Sequence, residues 1–375
     1  MYLTRLDVHG IRNISSASLT PTDGINIFRG ANGSGKTSLL EAIYLLGRGR
    51  TFRSRYTNTL INHDTRQCTV FGAATSKELG VPYTIGVSRE RKGSFQFKVD
   101  GSRVSTSSSL ADAIPLLLMN SDSFLLIEGG PGGRRRFLDW GVFHVEQQFQ
   151  PLWVQYQRSL QQRNKLLRRD KISHQELSSW DDSFIRLSNQ ITEMRREYFI
   201  SIEPLFLAMI QRLTTVKDIS LQFYQGWEEG RTLASVLEEN FERDKKRHVT
   251  SVGPQRADIK VSVNGRSASD VLSRGQIKAL VAALLVGQGQ MFRQKRGKQC
   301  VYLFDDLVSE LDRHYLRRLL KVLASANAQV FITGTDHLPL LGVMENEKIK
   351  DFAVFHVEQG KVSSLNELDL KGEAQ

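Results

Sequence analysis

Eight residues, Gly30-Ala31-Asn32-Gly33-Ser34-Gly35-Lys36-Thr37, carry the strongest chemical signal in the sequence. Glycine at the first and sixth places, followed by lysine and threonine, is the spacing of a loop that curls with its N–H groups inward. Such a loop opening a helix binds phosphate, because the inward N–H groups and the positive end of the helix both face the anion. In that arrangement Gly30, Ala31, Asn32, Gly33, Ser34 and Gly35 form the cradle. Lys36 reaches the β- and γ-phosphates of a nucleoside triphosphate, and the Thr37 hydroxyl binds Mg²⁺. A chance glycine turn is the competing explanation. The context disfavours it, since a strand pattern precedes the loop and a helix pattern follows it.

A second constellation lies far downstream. Val301-Tyr302-Leu303-Phe304 is an apolar strand that ends in Asp305-Asp306. Hard oxygen ligands suit Mg²⁺, so Asp305 is expected to complete the metal site, through water. Asp306, on the other side of the strand end, would orient or deprotonate the attacking water. The plainer alternative is that one of the two aspartates only caps the turn that follows. Between loop and acidic strand stands Leu272-Ser273-Arg274-Gly275-Gln276, just before the apolar helix start Ile277-Lys278-Ala279-Leu280-Val281. Taken alone it reads as a helix N-cap, with Ser273 accepting a backbone hydrogen bond and Gly275 adapting the turn.

These residues need elements to hold them. Tyr2, Leu6 and Val8 alternate as in a half-buried strand, and Gly24 to Phe28 reads as the strand before the phosphate loop. Leu39, Leu40, Ile43 and Leu46 predict a helix over Thr37 to Leu46. Further strands are expected at Val81 to Ser88, Phe95 to Val99 and Ile114 to Met119, with Asp100-Gly101 as a turn. After Gly133 the character changes to Gln, Arg, Leu and Glu. Helices are expected over Leu152 to Leu167, Ser183 to Met209 and Leu233 to Arg247, and few strands. Asp258 to Val263 alternates again, with Asn264-Gly265 as a hairpin turn. The last third reads as alternating helix and strand: Ile277 to Phe292, Val301 to Phe304, Tyr315 to Ala324 and Val330 to Thr333. The polar tail beyond Leu370 is expected to fray.

Bulk properties narrow the class. The net charge of +11 and pI near 9.6 favour a polyanionic partner such as nucleic acid or an anionic membrane over a generically basic surface, and no basic amphipathic anchor favours the membrane. The longest apolar stretch, Ala279 to Val286, is too short to span a bilayer, and Met1-Tyr2-Leu3-Thr4-Arg5-Leu6-Asp7 lacks the apolar core expected of a signal peptide. Cys68 and Cys300 lack metal-ligand spacing, which fits two structural thiols in a reducing cytoplasm.

The order phosphate loop, insertion, Leu272–Gln276, acidic strand and then Ser309-Glu310-Leu311-Asp312 resembles the ABC ATPase family. The opening Leu6-Asp7-Val8-His9-Gly10-Ile11-Arg12-Asn13 is similar to the SMC-like branch of that family. Gly47-Arg48-Gly49-Arg50-Thr51-Phe52-Arg53-Ser54 and Gly129-Gly130-Pro131-Gly132-Gly133-Arg134-Arg135-Arg136-Phe137-Leu138-Asp139-Trp140 narrow the resemblance to the bacterial RecF family of recombination mediators. It implies an α/β, ABC-type P-loop ATPase head with a mixed sheet, formed by residues 1–133 and 248–375. Residues 134–247 would form a mainly helical inserted lobe. It further implies that Ser273, Gly275 and Gln276 contact ATP held by a second copy, giving an ATP-dependent homodimer that grips DNA. Lys36, Asp305 and Asp306 would carry a slow, DNA-stimulated hydrolysis, because many ABC ATPases have Glu where Asp306 stands. The setting would be DNA replication, recombinational repair and the SOS response, in the cytoplasm, with recombination mediators of the RecO and RecR type as partners.

The chain departs from the family pattern in places. Gly253-Pro254-Gln255-Arg256-Ala257-Asp258 stands where the family tends to have Gly-Pro-His-Arg-Asp-Asp. Asn120 is nearest to the place of the ABC glutamine, and Thr335 or His337 to that of the switch histidine. For DNA, the candidates are Arg134, Arg135 and Arg136, then Arg163, Lys165, Arg168 and Arg169, and finally Lys245, Lys246 and Arg247. Such runs on helices also occur as solvated faces. A transporter ATPase would have a shorter insertion, and a long-armed SMC protein would have sustained heptads without Pro204.

Overall fold

The computed structural model describes residues 2–54, 57–75, 80–169 and 174–365. The expected fraying beyond Leu370 lies outside these residues. Contacts divide the chain into two compact units, one of residues 1–123, 212–214 and 278–375, the other of residues 124–211 and 215–277.

In the first unit, β1 (Tyr2–Ile11) and β2 (Ile14–Leu19) form a hairpin, and β3 (Ile25–Arg29) leads into the phosphate loop. β4 (Gln67–Thr75), β5 (Pro82–Glu90), β6 (Phe95–Val99) and β7 (Ser102–Val104) form an antiparallel meander, and β8 (Leu116–Met119) follows. The second unit contributes β9 (Ile219–Tyr224), β10 (Asp258–Val263) and β11 (Arg266–Ser267). Back in the first unit come β12 (Val301–Phe304), β13 (Val330–Gly334), β14 (Phe352–Glu358) and β15 (Lys361–Leu365).

The first unit thus holds two six-stranded sheets, ordered β2-β1-β4-β5-β6-β7 and β15-β14-β3-β13-β12-β8. The second is mixed: β14, β3, β13, β12 and β8 are parallel, and only β15 runs antiparallel. Helix Lys36–Arg48 touches strands of both sheets, and Leu39, Leu40, Ala42, Ile43, Leu45 and Leu46 are all fully buried. An all-round apolar helix of this kind must lie inside a core rather than on a surface. Phe28, Phe331 and Phe355 pack ring against ring beneath the loop, at 5.7–5.8 Å between centroids. The phosphate loop therefore rises from rigid ground.

The second unit is mainly helical, with helices Pro131–Val145, Phe149–Leu166 and His174–Leu213. It also holds the three-stranded sheet β11-β10-β9. β9 falls inside the stretch expected to contain few strands, and it pairs with β10 from Ile219↔Val263 to Tyr224↔Asp258. That pairing ties residues 258–263 to this unit, which runs over residues 124–211 and 215–277, whereas the sequence reading expects the inserted lobe over 134–247. The expected helix Leu233 to Arg247 is two helices, Leu233–Glu239 and Phe241–Arg247. They part at Asn240, whose side chain donates to the Val236 carbonyl at 2.8 Å and competes with the backbone ladder.

Candidate functional site

The loop Gly30–Gly35 leaves β3 and enters helix Lys36–Arg48 as expected. Gly30 has φ 152°, and a Cβ there would lie 2.1 Å from the Val357 carbonyl oxygen, so only glycine fits. Two other segments brace the loop. Asn13 donates to the Gly33 carbonyl at 3.0 Å and accepts from the Ser38 hydroxyl at 3.1 Å. The Gly360 N–H donates to the Ser34 carbonyl at 2.8 Å. The Ser34 hydroxyl is buried without a hydrogen-bond partner, a polar atom that a ligand in the cradle would satisfy.

Lys36 donates from Nζ to the Gly30 and Ala31 carbonyls at 2.7 and 2.8 Å, which holds its ammonium at the mouth of the loop. Burial lowers its pKa, and the charges of Asp306 and Asp305 partly oppose that shift. The Thr37 hydroxyl donates to Asp305 Oδ1 at 2.9 Å. Thr333, at the end of β13, donates to the same oxygen at 2.7 Å and accepts the Asp306 N–H at 2.8 Å. Asp306 has φ 55°, a left-handed conformation that costs a non-glycine residue about 1 kcal/mol or more. This strain sits beside the phosphate loop and turns the chain into the short helix Leu307–Glu310.

These groups line one cleft of about 450 Å³, together with Arg12, Asn13, Arg53, Ser121 and Glu310. Asn32, Gly33, Gly35, Lys36, Thr37, Asp305 and Asp306 of the sequence-derived set meet there. Thr333, Arg12 and Arg53 are contributors that motif spacing alone did not single out. Arg12 and Arg53 stood in segments noted only for their resemblance. Asn120 pairs with Ser123, and its neighbour Ser121 lines the cleft instead. Neither Thr335 nor His337 is among the lining residues. His337 is buried, with its ring 3.3 Å from the Arg29 guanidinium.

Ser273 and Gln276 form a reciprocal cap at the start of helix Arg274–Arg296. The Ser273 N–H donates to Gln276 Oε1 at 2.9 Å, and the Gln276 N–H donates to the Ser273 hydroxyl at 3.4 Å. Ser273, Arg274 and Gly275 are exposed, and a Cβ added at Gly275 would meet nothing within 4 Å. Within this chain, therefore, no packing requires glycine there. One turn on, Lys278 pairs with Glu310 of the cleft.

The basic clusters divide. Arg163 is not a surface residue: its side chain is 1% exposed and is held by Asp181 at 2.8 Å and Asp244 at 3.2 Å. Arg134 is engaged by both Asp258 oxygens at 2.7 and 3.0 Å, and Arg135 donates to the Ala257 carbonyl at 2.7 Å. Arg163 and Arg134 thus act as structural ties within the unit, with most of their donors engaged, whereas Arg135 is half-buried and has one donor engaged by the Ala257 carbonyl. Arg136, Lys165, Arg168, Arg169, Lys246 and Arg247 are exposed. Lys245 is half-buried over the Phe241 ring. No described helix is long and apolar enough to cross a membrane.

Comparison with known proteins agrees with this architecture. The family described as RecF/RecN/SMC N terminal domain matches residues 2–362. The curated DNA replication and repair protein RecF of Pseudomonas entomophila (strain L48) is 43% identical over 367 residues, covering 98% of this chain and 99% of the relative. The RecF of Cellvibrio japonicus (strain Ueda107) is 43% identical over 364 residues, covering 97% and 99%. Among solved structures, the recombination mediator protein RecF-ATPrS of the RecFOR pathway superposes with a TM-score of 0.84 at 25% identity, covering 97% of this chain and 98% of that one. An Smc head bound to the C-terminal winged-helix domain of ScpA shares the fold alone, with a TM-score of 0.59 at 16% identity over 99% of this chain and 100% of that one. A phosphate loop, an acidic strand and a capped signature helix, set in that fold and matched over nearly the whole length, leave one assignment: the chain belongs to the RecF family of DNA replication and repair proteins, within the RecF/RecN/SMC group of ABC-type ATPases.

Proposed function

We propose that this protein is an ATP-driven DNA clamp. ATP bound in the cleft joins two copies on DNA, and slow hydrolysis releases them. The observation that carries this reading is the convergence of Lys36, Thr37, Asp305 and Asp306 in a single cleft at the mouth of the phosphate loop. Gly30 to Gly35 cradle the phosphates, and Lys36 turns from its own loop carbonyls to the β- and γ-phosphates.

Thr37 and Asp305 supply hard oxygen donors that suit Mg²⁺. Among the described residues no group of three or more His, Cys, Asp or Glu could hold a metal. That donor set fits an ion that retains waters and binds phosphate oxygens rather than one caged by protein. When bound, the ion would neutralise charge that develops on the phosphates. Thr333 holds the Asp305 carboxylate in place and, through the Asp306 N–H, the following turn. Asp306 orients the attacking water and accepts its proton. Asp306→Asn is expected to slow hydrolysis by about tenfold or more and to lengthen the life of the ATP-bound dimer. Single-turnover hydrolysis at the wild-type rate would remove Asp306 from this role.

Dimerisation follows from the signature segment. An exposed serine hydroxyl and helix N-terminus, with a glycine that nothing in its own chain requires, suit the close approach of a phosphate from a second copy. Gly275→Arg should leave the monomer's fold and thermal stability unchanged, because its Cβ points into open space. It should abolish ATP-dependent dimerisation in sedimentation, and with it the ATP-dependent gain in affinity for gapped or uniform DNA. An ATP-induced Gly275→Arg dimer would refute the shared site. The exposed cations Arg136, Lys165, Arg168, Arg169, Lys246 and Arg247 are the candidates for backbone phosphate, which makes binding salt-dependent and weakly sequence-specific. Contact with DNA would stimulate the ATPase weakly. The same reading places the protein in the cytoplasm, in recombinational repair and the SOS response, beside mediators of the RecO and RecR type.

A further inference from the structure

Glu41 lies in the second turn of the helix that follows the phosphate loop, and its side chain is 0% exposed. A carboxylate stays ionised in such a place only when its oxygens are fully paired. Arg12 pairs with it through Nε and Nη2, each at 2.9 Å, a two-point grip that fixes the guanidinium plane. Arg12 Nη1 donates to the Thr59 carbonyl at 2.8 Å. Those bonds use three of the five guanidinium N–H groups, so two remain, on a side chain that lines the nucleotide cleft.

A third donor to Glu41 is the Thr51 hydroxyl. The same hydroxyl accepts the Arg53 N–H at 3.1 Å. Between them Phe52 packs edge-on against Tyr44, at 5.3 Å between ring centroids. Arg53 also lines the cleft. One buried carboxylate therefore anchors the Arg12 side chain directly and, through Thr51, the backbone of Arg53; both residues reach the cleft from outside the Gly30–Thr37 segment. Their charge matters. Asp305, Asp306 and Glu310 line the cleft, and Lys36 would be the lone cation among the lining residues without Arg12 and Arg53. With them, three cations stand among three carboxylates in the lining, which reduces the repulsion of a polyanionic ligand.

We propose that Glu41 is a positioning residue for the triphosphate: it holds Arg12 directly, and Arg53 through Thr51, in the geometry that meets the phosphates. The inference rests on the nucleotide reading above. Glutamine at 41 has one acceptor oxygen in place of two and no charge, so it cannot grip Arg12 at two points and accept from Thr51 as well. In the full-length protein, Glu41→Gln should weaken ATP binding by about tenfold to a hundredfold, and ADP binding by less.

Thr51→Val keeps the shape of residue 51, removes the hydroxyl and leaves the buried Glu41–Arg12 pair intact, so it tests the idea without risk to the core. It should weaken ATP binding by about threefold to tenfold. Added to Arg53→Ala, Thr51→Val should cause no further loss, because it acts through Arg53. The same holds for Glu41→Gln added to the Arg12→Ala, Arg53→Ala double variant. A fluorescent ATP analogue, titrated in parallel with thermal unfolding, reads all of these. If the wild-type chain binds ATP but the Thr51 and Arg53 losses multiply, or if Thr51→Val binds ATP as wild type does, the positioning role is overturned and the nucleotide reading survives. If the wild-type chain fails to bind ATP, both fall together.

Discussion

Lys36→Ala should weaken ATP binding by about a hundredfold, and ATP-dependent dimers should vanish at concentrations that saturate the wild type. The Lys36 ammonium is held at the loop mouth by two carbonyls, and burial has already lowered its pKa. The cost of desolvating it is thus met before ligand arrives, and a polyanion binds a charge placed in advance. A hydrogen bond to a charged group contributes about 1.5–3 kcal/mol, and 2.7 kcal/mol corresponds to about a hundredfold in affinity. Alanine removes both the charge and the two internal bonds but leaves the apolar faces of the helix in place, so thermal stability should change little. Equilibrium titration with a fluorescent ATP analogue and sedimentation with and without ATP give the two readouts. A variant that still dimerises on ATP would show that the clamp closes by some route other than this cleft.

The largest effect on stability is expected in the helical unit. Arg163→Ala removes the partner of Asp244, whose side chain is 0% exposed, and of Asp181. It also removes the donor to Thr250 at 2.9 Å. Breaking a buried ion pair from one side costs about 3–5 kcal/mol, because the buried Asp244 carboxylate loses its counter-ion and keeps only the Ser251 N–H. Urea unfolding followed by circular dichroism should show the loss. Arg163→Lys should not restore it, since one ammonium cannot serve two carboxylates and a hydroxyl as a planar fork does. By contrast, Arg168→Ala and Arg169→Ala lie at exposed positions and should shift stability by no more than about 0.5 kcal/mol. Wild-type stability in Arg163→Ala, combined with lost DNA binding, would return Arg163 to the DNA face.

This contrast shows where the sequence is readable. The phosphate loop, the acidic strand and the Asn264-Gly265 turn are local: each is set by residues a few places apart, and each stands where its spacing puts it. Arg163 and Arg168 look alike in sequence, because the aspartates that bury the first lie 18 and 81 residues away. Arg12 and Arg53 escaped motif spacing for the same reason, since each enters the cleft from its own loop. Thr333 was visible only as the end of a strand, and its role appears once β13 lies beside β12. β9 has the alternation of a strand, but its partner lies on the far side of two helices, so it was absorbed into a helical stretch. The single helix expected over Leu233 to Arg247 breaks at Asn240, where the side-chain amide shares the Val236 carbonyl with the backbone N–H.

The bracing of the phosphate loop has a consequence for synthesis. β14 pairs with β3 in register, Val357 closes over Gly30, and Gly360 holds Ser34. The cradle encoded near the start of the chain thus lacks two of its walls until residue 360 has been translated and has left the ribosome. A nascent chain leaves the ribosome at about 5–20 residues per second, so the loop waits on the order of tens of seconds for its second half. Nucleotide binding is consequently a late event in the life of each molecule. Before that point a partial chain lacks the Val357 and Gly360 contacts that brace the loop.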